Sequence, residues 1–261
     1  MDSVNKTLYI PLYGKAYVSR RGLFLNDTRA EAIWDAEGFA LKGKAASKWL
    51  AFYMGIRAAV FDDWIRAHLD GDSATVILHL GCGLDSRVLR VGASGNLWFD
   101  VDFPEVIEER KRYYTETASY RMIEGDLRHG DWLSGIPEAR RAVIVMEGVS
   151  MYLHSEELQV LMKNLCEHFG EIHLLTDCYS VFAARMSKYK NPVREVGVRE
   201  VYGMDDPTVL QNGAIRFAGE RDMTPARYVN ELSGTEKMIF SRLYAGRTSK
   251  KLYRLYEYEK N

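Results

Sequence analysis

The stretch TVILHLGCGLDS, residues 75–86, decides the fold. Its first half is a short apolar run with β-branched residues, the pattern of a strand buried on both faces. Its second half sets Gly81 and Gly83 where a chain turns tightly out of a strand. Four more runs of this kind follow: 97–101 (LWFDV), 120–124 (YRMIE), 142–147 (AVIVME) and 171–176 (EIHLLT). Helical stretches separate several of them, at 85–91, 104–119 and 156–169. Pro104 suits the first turn of a helix, and Ser155 followed by Glu156 and Glu157 is a helix start. Strands alternating with helices predict a doubly wound, mostly parallel α/β sheet. Segments 214–217 and 251–259 are two further strand candidates, which brings the expected sheet to seven strands.

Working outward, residues 1–72 read as a helical N-terminal cap. Asn26 or Asp27 can cap a helix over 27–37. Residues 44–69 carry one broad apolar stripe that includes Trp49, Phe52, Ile56, Phe61 and Trp64, which is core packing. Residues 75–177 form the expected ligand-binding core. Residues 178–222 open with a candidate helix over 178–189. Its proline- and glycine-rich part, 191–213, reads as a substrate lid or insertion. Residues 223–261 supply a helix over 225–244, interrupted near Gly234, then a turn at Arg247-Thr248-Ser249 and the final strand. No linker splits the chain, so a single domain is expected.

Thirty-five Lys and Arg against 36 Asp and Glu give a net charge of -1 in 261 residues. The basic excess of a nucleic-acid binder is missing from the total. Nor is there an apolar run of membrane-spanning length or a signal-peptide pattern. The cysteines Cys82, Cys166 and Cys178 form no CxxC pair or disulfide framework, and a cytoplasmic location is expected. His129, His154, His168 and His173 lack metal-ligand spacing, so no metal is assigned. Charge is segregated along the chain. Residues 100–138 hold ten acids against five bases, and residues 235–261 hold seven bases against three acids.

In a doubly wound sheet, ligands sit at the C-terminal ends of the strands. There the sequence places Asp85 after the first run, Asp100 and Asp102 at the second, Asp126 after the third, Glu147 at the fourth and Asp177 after the fifth. A dinucleotide site would need a third glycine where Ser86 stands, and Asp85 would repel a pyrophosphate. S-adenosylmethionine has no phosphate and carries a sulfonium and an ammonium, so an acidic rim favours it. Its ribose diol wants the carboxylate at the second strand end, Asp102 or its rival Asp100. Its adenine wants a polar group after the third strand, Asp126. Its carboxylate wants a base from outside the sheet. A nicotinamide-dependent oxidoreductase and a non-catalytic cofactor-binding module are the competing readings.

Five segments carry a more specific likeness: 10–20 (IPLYGKAYVSR), 78–91 (LHLGCGLDSRVLRV), 98–114 (WFDVDFPEVIEERKRYY), 125–133 (GDLRHGDWL) and 146–153 (MEGVSMYL). Together they resemble the bacterial carboxyl/O-methyltransferases of the tetracenomycin polyketide type, within the leucine carboxyl methyltransferase superfamily. The resemblance implies a class I S-adenosylmethionine-dependent methyltransferase. It places Gly81, Cys82 and Gly83 along the cofactor, Asp102 on the ribose and Asp126 and Leu127 around the adenine. It puts Glu147 near the methionine amino group and brings Lys15 and Arg57 from the cap to the methionine carboxylate. His79 stands where the family more usually has an acidic or amide residue. Arg20, Tyr152 and Tyr179 are candidate contacts to a small-molecule acceptor, and Arg21 is a weaker one. No catalytic base emerges from a His–Asp arrangement. That favours a carboxylate acceptor, ionised at neutral pH, over a phenolic hydroxyl.

Overall fold

The computed structural model describes residues 8–38, 41, 43–69, 75–93, 95–190 and 201–261. Three helices open it: α1 (Tyr9–Arg20), α2 (Thr28–Glu37) and α3 (Lys48–His68). Asp27 is the N-cap of α2, accepting from the Ala30 N–H at 2.8 Å. Ser47 caps α3 in the same way, on Trp49. Both side chains satisfy an N–H that the first helical turn leaves unpaired.

Strand and helix then alternate: β1 (Thr75–Leu80), α4 (Arg87–Val91), β2 (Leu97–Asp102), α5 (Pro104–Lys111), β3 (Tyr120–Glu124), β4 (Arg141–Met146), α6 (Ser155–His168) and β5 (Glu171–Tyr179). After α7 (Val181–Lys190) come β6 (Arg216–Arg221), α8 (Ala226–Val229), α9 (Gly234–Leu243), α10 (Arg247–Leu252) and β7 (Tyr253–Lys260). The seven strands form one sheet in the order β3-β2-β1-β4-β5-β7-β6. The pairings among β1 to β5 are parallel, and β7 runs antiparallel to both of its neighbours.

All six β1 residues are buried because both faces of the sheet are covered. Ile77 joins the core beneath α1–α3, α8 and α9. Val76, Leu78 and Leu80 join the opposite core, against α6 and Trp132. This is the period-two alternation of a strand. The chain leaves β1 toward β2 and β3, then returns to β4 on the other side. The C-terminal ends of β1 and β4 therefore flank the topological switch point, where such sheets bind ligands.

Four expectations move. Strand β5 runs to Tyr179, three residues beyond the apolar run, because β7 pairs with it from Ile172 to Tyr179. The edge strand β6 begins at Arg216 and is mostly exposed; pairing with β7, not apolar pattern, defines it. Residues 247–249, expected as a turn, begin helix α10. The helix expected to reach residue 119 stops at Lys111. Of the expected lid, residues 191–200 lie outside the described residues. Residues 201–210 are bound to the body: Tyr202 N–H donates to Met151 O and Met204 N–H to Tyr179 O, both at 2.8 Å, and Gln159 on α6 donates to Val209 O.

Candidate functional site: a cavity over the switch point

A cavity of about 670 Å³ opens over the ends of β1, β2, β3 and β4. This is within the size range of small-molecule and cofactor sites. Lys15, Arg57, Gly81, Cys82, Gly83, Asp102, Asp126, Leu127, Glu147, Tyr152 and Tyr179 all line it. Residues from α1, α3, four strand ends and the β5 end thus meet in one space. Arg20 does not. It is 42% exposed and pairs with Asp35 on α2. Arg21 pairs with Glu236. Both face away because α1 points its C-terminal turn at the surface, so their assignment to an acceptor is corrected.

Gly81 and Gly83 both have positive φ, 66° and 52°. A Cβ at Gly81 would lie 2.3 Å from Val149 Cγ2. The loop can hug the β4 end only because these residues have no side chain. Cys82 between them is buried, and burial pushes its thiol pKa well above its ordinary value. It is a packed neutral group.

The carboxylates divide sharply. Asp100 is sealed beneath the site, where it accepts from Arg110, Tyr120 and Trp98. Burial works against its charge, but Arg110 overrides this and holds its pKa at about 2. Asp102, two residues on, lines the cavity and has no ion pair among the described residues. Its Oδ2 accepts from Gly83 N–H and its Oδ1 from Phe103 N–H, both at 2.8 Å. Burial raises its pKa to about 6. Each oxygen keeps a second acceptor site, which suits the two hydroxyls of a ribose diol. The structure therefore separates Asp102 from its rival.

Asp126 accepts from Arg128 Nε on both oxygens at 2.9 Å, and Arg128 keeps its pKa low. The acid-rich segment 100–138 therefore leaves no bare acidic rim. Arg110 and Arg128, from the same segment, neutralise Asp100 and Asp126. Among the described residues lining the cavity, Asp102 alone is a carboxylate without a cationic partner.

The remaining charges form the cavity floor. Lys15 Nζ lies 3.0 Å from Asp85 Oδ2. Arg57 donates Nε to Glu147 Oε1 at 2.9 Å and Nη1 to Asp177 Oδ2 at 3.1 Å. Its Nη2 makes no hydrogen bond among the described residues. Burial would raise the Glu147 pKa, but Arg57 and Arg87 hold it at about 2. Against the same burial, Arg90, Lys15 and Arg87 hold Asp85 well below the ordinary carboxylate range. His79 accepts from Arg87 on Nε2 at 3.0 Å and turns Nδ1 toward Asp100 at 3.3 Å. Burial lowers its pKa, and because a guanidinium only donates, Nε2 accepts and the ring hydrogen sits on Nδ1.

Three contributors escaped the sequence reading. Arg87 and Arg90 stand inside the quoted GLDSRVLRV segment without an assigned role, and Asp62 stands within the stripe read as core. Their shared signal is an Asp or Arg on a helix that is otherwise apolar, the pattern of a buried ion pair.

A doubly wound sheet of this strand order, with a carboxylate held by backbone N–H groups at the β2 end and a glycine turn after β1, is the architecture of an S-adenosylmethionine-dependent methyltransferase. The chain belongs to the leucine carboxyl methyltransferase family, whose model matches residues 12–166. It is similar to the tetracenomycin polyketide synthesis O-methyltransferase TcmP of Streptomyces glaucescens, with 29% identity over 244 residues, 92% of this chain and 90% of that protein. It is also similar to the S-adenosyl-L-methionine-dependent methyltransferase dpfgK of Gibberella zeae, with 28% identity over 183 residues, 64% of this chain and 61% of that protein. In fold it is similar to magnesium protoporphyrin IX methyltransferase from Synechocystis with bound SAH. There the TM-score is 0.54 at 12% identity, covering 90% of this chain and 95% of that one. Among the described residues no helix is long and apolar enough to cross a membrane.

Proposed function

We propose that this methyltransferase transfers its methyl group to the carboxylate of a small, polyketide-like acid. The observation that carries this is that, among the described side chains lining the cavity, Asp102 is the single carboxylate without a cationic partner, and it stands on the side assigned to the ribose. His79 is buried, with Nε2 taken by Arg87. Asp85 and Glu147 are committed to lysine and arginine, and Asp126 is clamped by Arg128. Asp102 belongs to the ribose side. A hydroxyl acceptor would gain from a base, whereas a carboxylate is already ionised at neutral pH. The name of the Streptomyces relative supports a polyketide-like acceptor.

When bound, S-adenosylmethionine supplies a methyl group on a sulfonium that leaves without protonation. What the chain has to supply is alignment, worth up to ~7–11 kcal/mol in favourable cases. Asp102 holds the ribose, Arg57 and Lys15 the methionine carboxylate, and Glu147 the ammonium. Tyr152 and Tyr179, with Tyr253, offer ring faces to the acceptor. The test is product chemistry with a panel of aromatic acids and matched phenols. A methyl ester, cleaved to methanol by mild base, is the expected product. Base-stable methyl ethers, formed only from the phenols, would overturn the carboxylate reading.

A further inference from the structure

Along the cavity floor, five charges alternate in sign: Lys15, Asp85, Arg87, Glu147 and Arg57. Asp85 Oδ2 lies 3.0 Å from Lys15 Nζ and 3.3 Å from Arg87 Nη2. Arg87 Nη2 also donates to Glu147 Oε2, and the other oxygen of Glu147 accepts from Arg57. Four of the five line the cavity; Arg87 alone does not. It is fully buried, and Asp62 on α3 anchors it from behind, accepting from Arg87 Nε at 2.8 Å. Its Nη1 reaches His79, itself a cavity-lining residue.

We propose that Arg87 is the positioning residue for the amino-acid end of the cofactor, setting Glu147 and Asp85 so that Lys15, Arg57 and Glu147 converge on it. The inference rests on the assignment of those three residues to that end. The physics is that of a fork. Glu147 and Asp85 repel one another, and one guanidinium nitrogen lies between them while Nε and Nη1 fix its plane. A lysine at this place keeps the charge but has one nitrogen where arginine has three, so it cannot reach Asp62, His79 and Glu147 together. With the fork lost, Glu147 follows Arg57, Asp85 follows Lys15 and Arg90, and the two halves of the floor part.

The test compares two ligands. S-adenosylhomocysteine has the amino-acid end, and 5′-methylthioadenosine lacks it but shares the nucleoside. Affinities for both are measured by calorimetry on the wild type, Arg87→Lys and Asp62→Asn. The wild type is expected to prefer S-adenosylhomocysteine by at least tenfold. Arg87→Lys should lose most of that preference while binding 5′-methylthioadenosine within about threefold of the wild type. Asp62→Asn, which leaves Arg87 in place without its anchor, should lose part of it and answers the question should Arg87→Lys not fold. A purely structural role would weaken both ligands alike. Preference retained in the variants overturns the role of Arg87. No preference in the wild type overturns instead the assignment of Lys15, Arg57 and Glu147.

Discussion

The two ends of the cavity are built on different physical plans. At the β1–β4 end the polar lining is made of charged side chains, nearly all buried and nearly all paired. At the β5–β7 end the lining is of rings: Tyr179 and Tyr253 lie 4.7 Å apart between centroids, and Tyr53 packs behind Tyr253 at 6.2 Å. Charges in a dry site hold one geometry, because any displacement leaves a buried ion unpaired. Rings offer area and orientation with looser demands on shape. The first plan suits a ligand that never changes, and the second suits one that differs between related enzymes. The family model, matching residues 12–166, covers every residue placed on the cofactor and stops before Tyr179 and Tyr253.

This contrast can be broken first at Asp102. Asp102→Ala removes two charge-assisted contacts to the ribose, each worth about 1.5–3 kcal/mol. S-adenosylhomocysteine affinity should fall by about a hundredfold or more, and its thermal-shift stabilisation should vanish. An unchanged shift would show that the charged end does not hold the ribose.

A smaller effect follows from the pKa of Asp102, which burial raises to about 6. The hydroxyls of a diol bind the ionised form. The dissociation constant for S-adenosylhomocysteine should therefore rise as pH falls below 6, approaching tenfold per pH unit. Asp102→Asn should flatten that dependence in a titration from pH 5 to 8. In the free protein the sign is opposite. The folded state holds this proton more tightly than the unfolded chain, so the group's stabilising contribution is full below about pH 4. It is lost as pH rises through 6.

The smallest expected effect lies at the other end. Tyr152→Ala should raise the acceptor KM by about three- to tenfold, the loss of roughly 1 kcal/mol of ring contact, and leave the cofactor affinity unchanged. Steady-state kinetics with each substrate varied in turn would read this. A change in cofactor affinity alone would dissolve the distinction between the ends.

Much of this plan is legible along the chain. The runs at 75–80 and 142–147 announce central strands, because burial on both faces demands uninterrupted apolar residues. Asp102 is legible as a polar residue at the end of such a run. Strand β6 is legible only at its start, in the candidate run 214–217, since RFAGER has little to bury and takes its extent from β7. Helix α10 is hidden in the same way in RTSKKL, a polar stretch with no buried residue.

Sequence by itself determined the sheet, the glycine turn, the family and the strand ends where a ligand must bind. These rest on burial period and backbone freedom, which are local properties. Only the tertiary structure decided which carboxylates keep their charge for the ligand. Asp100 and Asp102 are two residues apart and look alike in sequence, yet Arg110 fills one and two backbone N–H groups hold the other open. The acid-rich segment suggested a bare acidic rim, and the folded chain shows a floor of compensated pairs instead. The reason is physical: a buried charge must find its partner in space, and that partner lies 10 residues away for Asp100 and Arg110 but 90 away for Glu147 and Arg57.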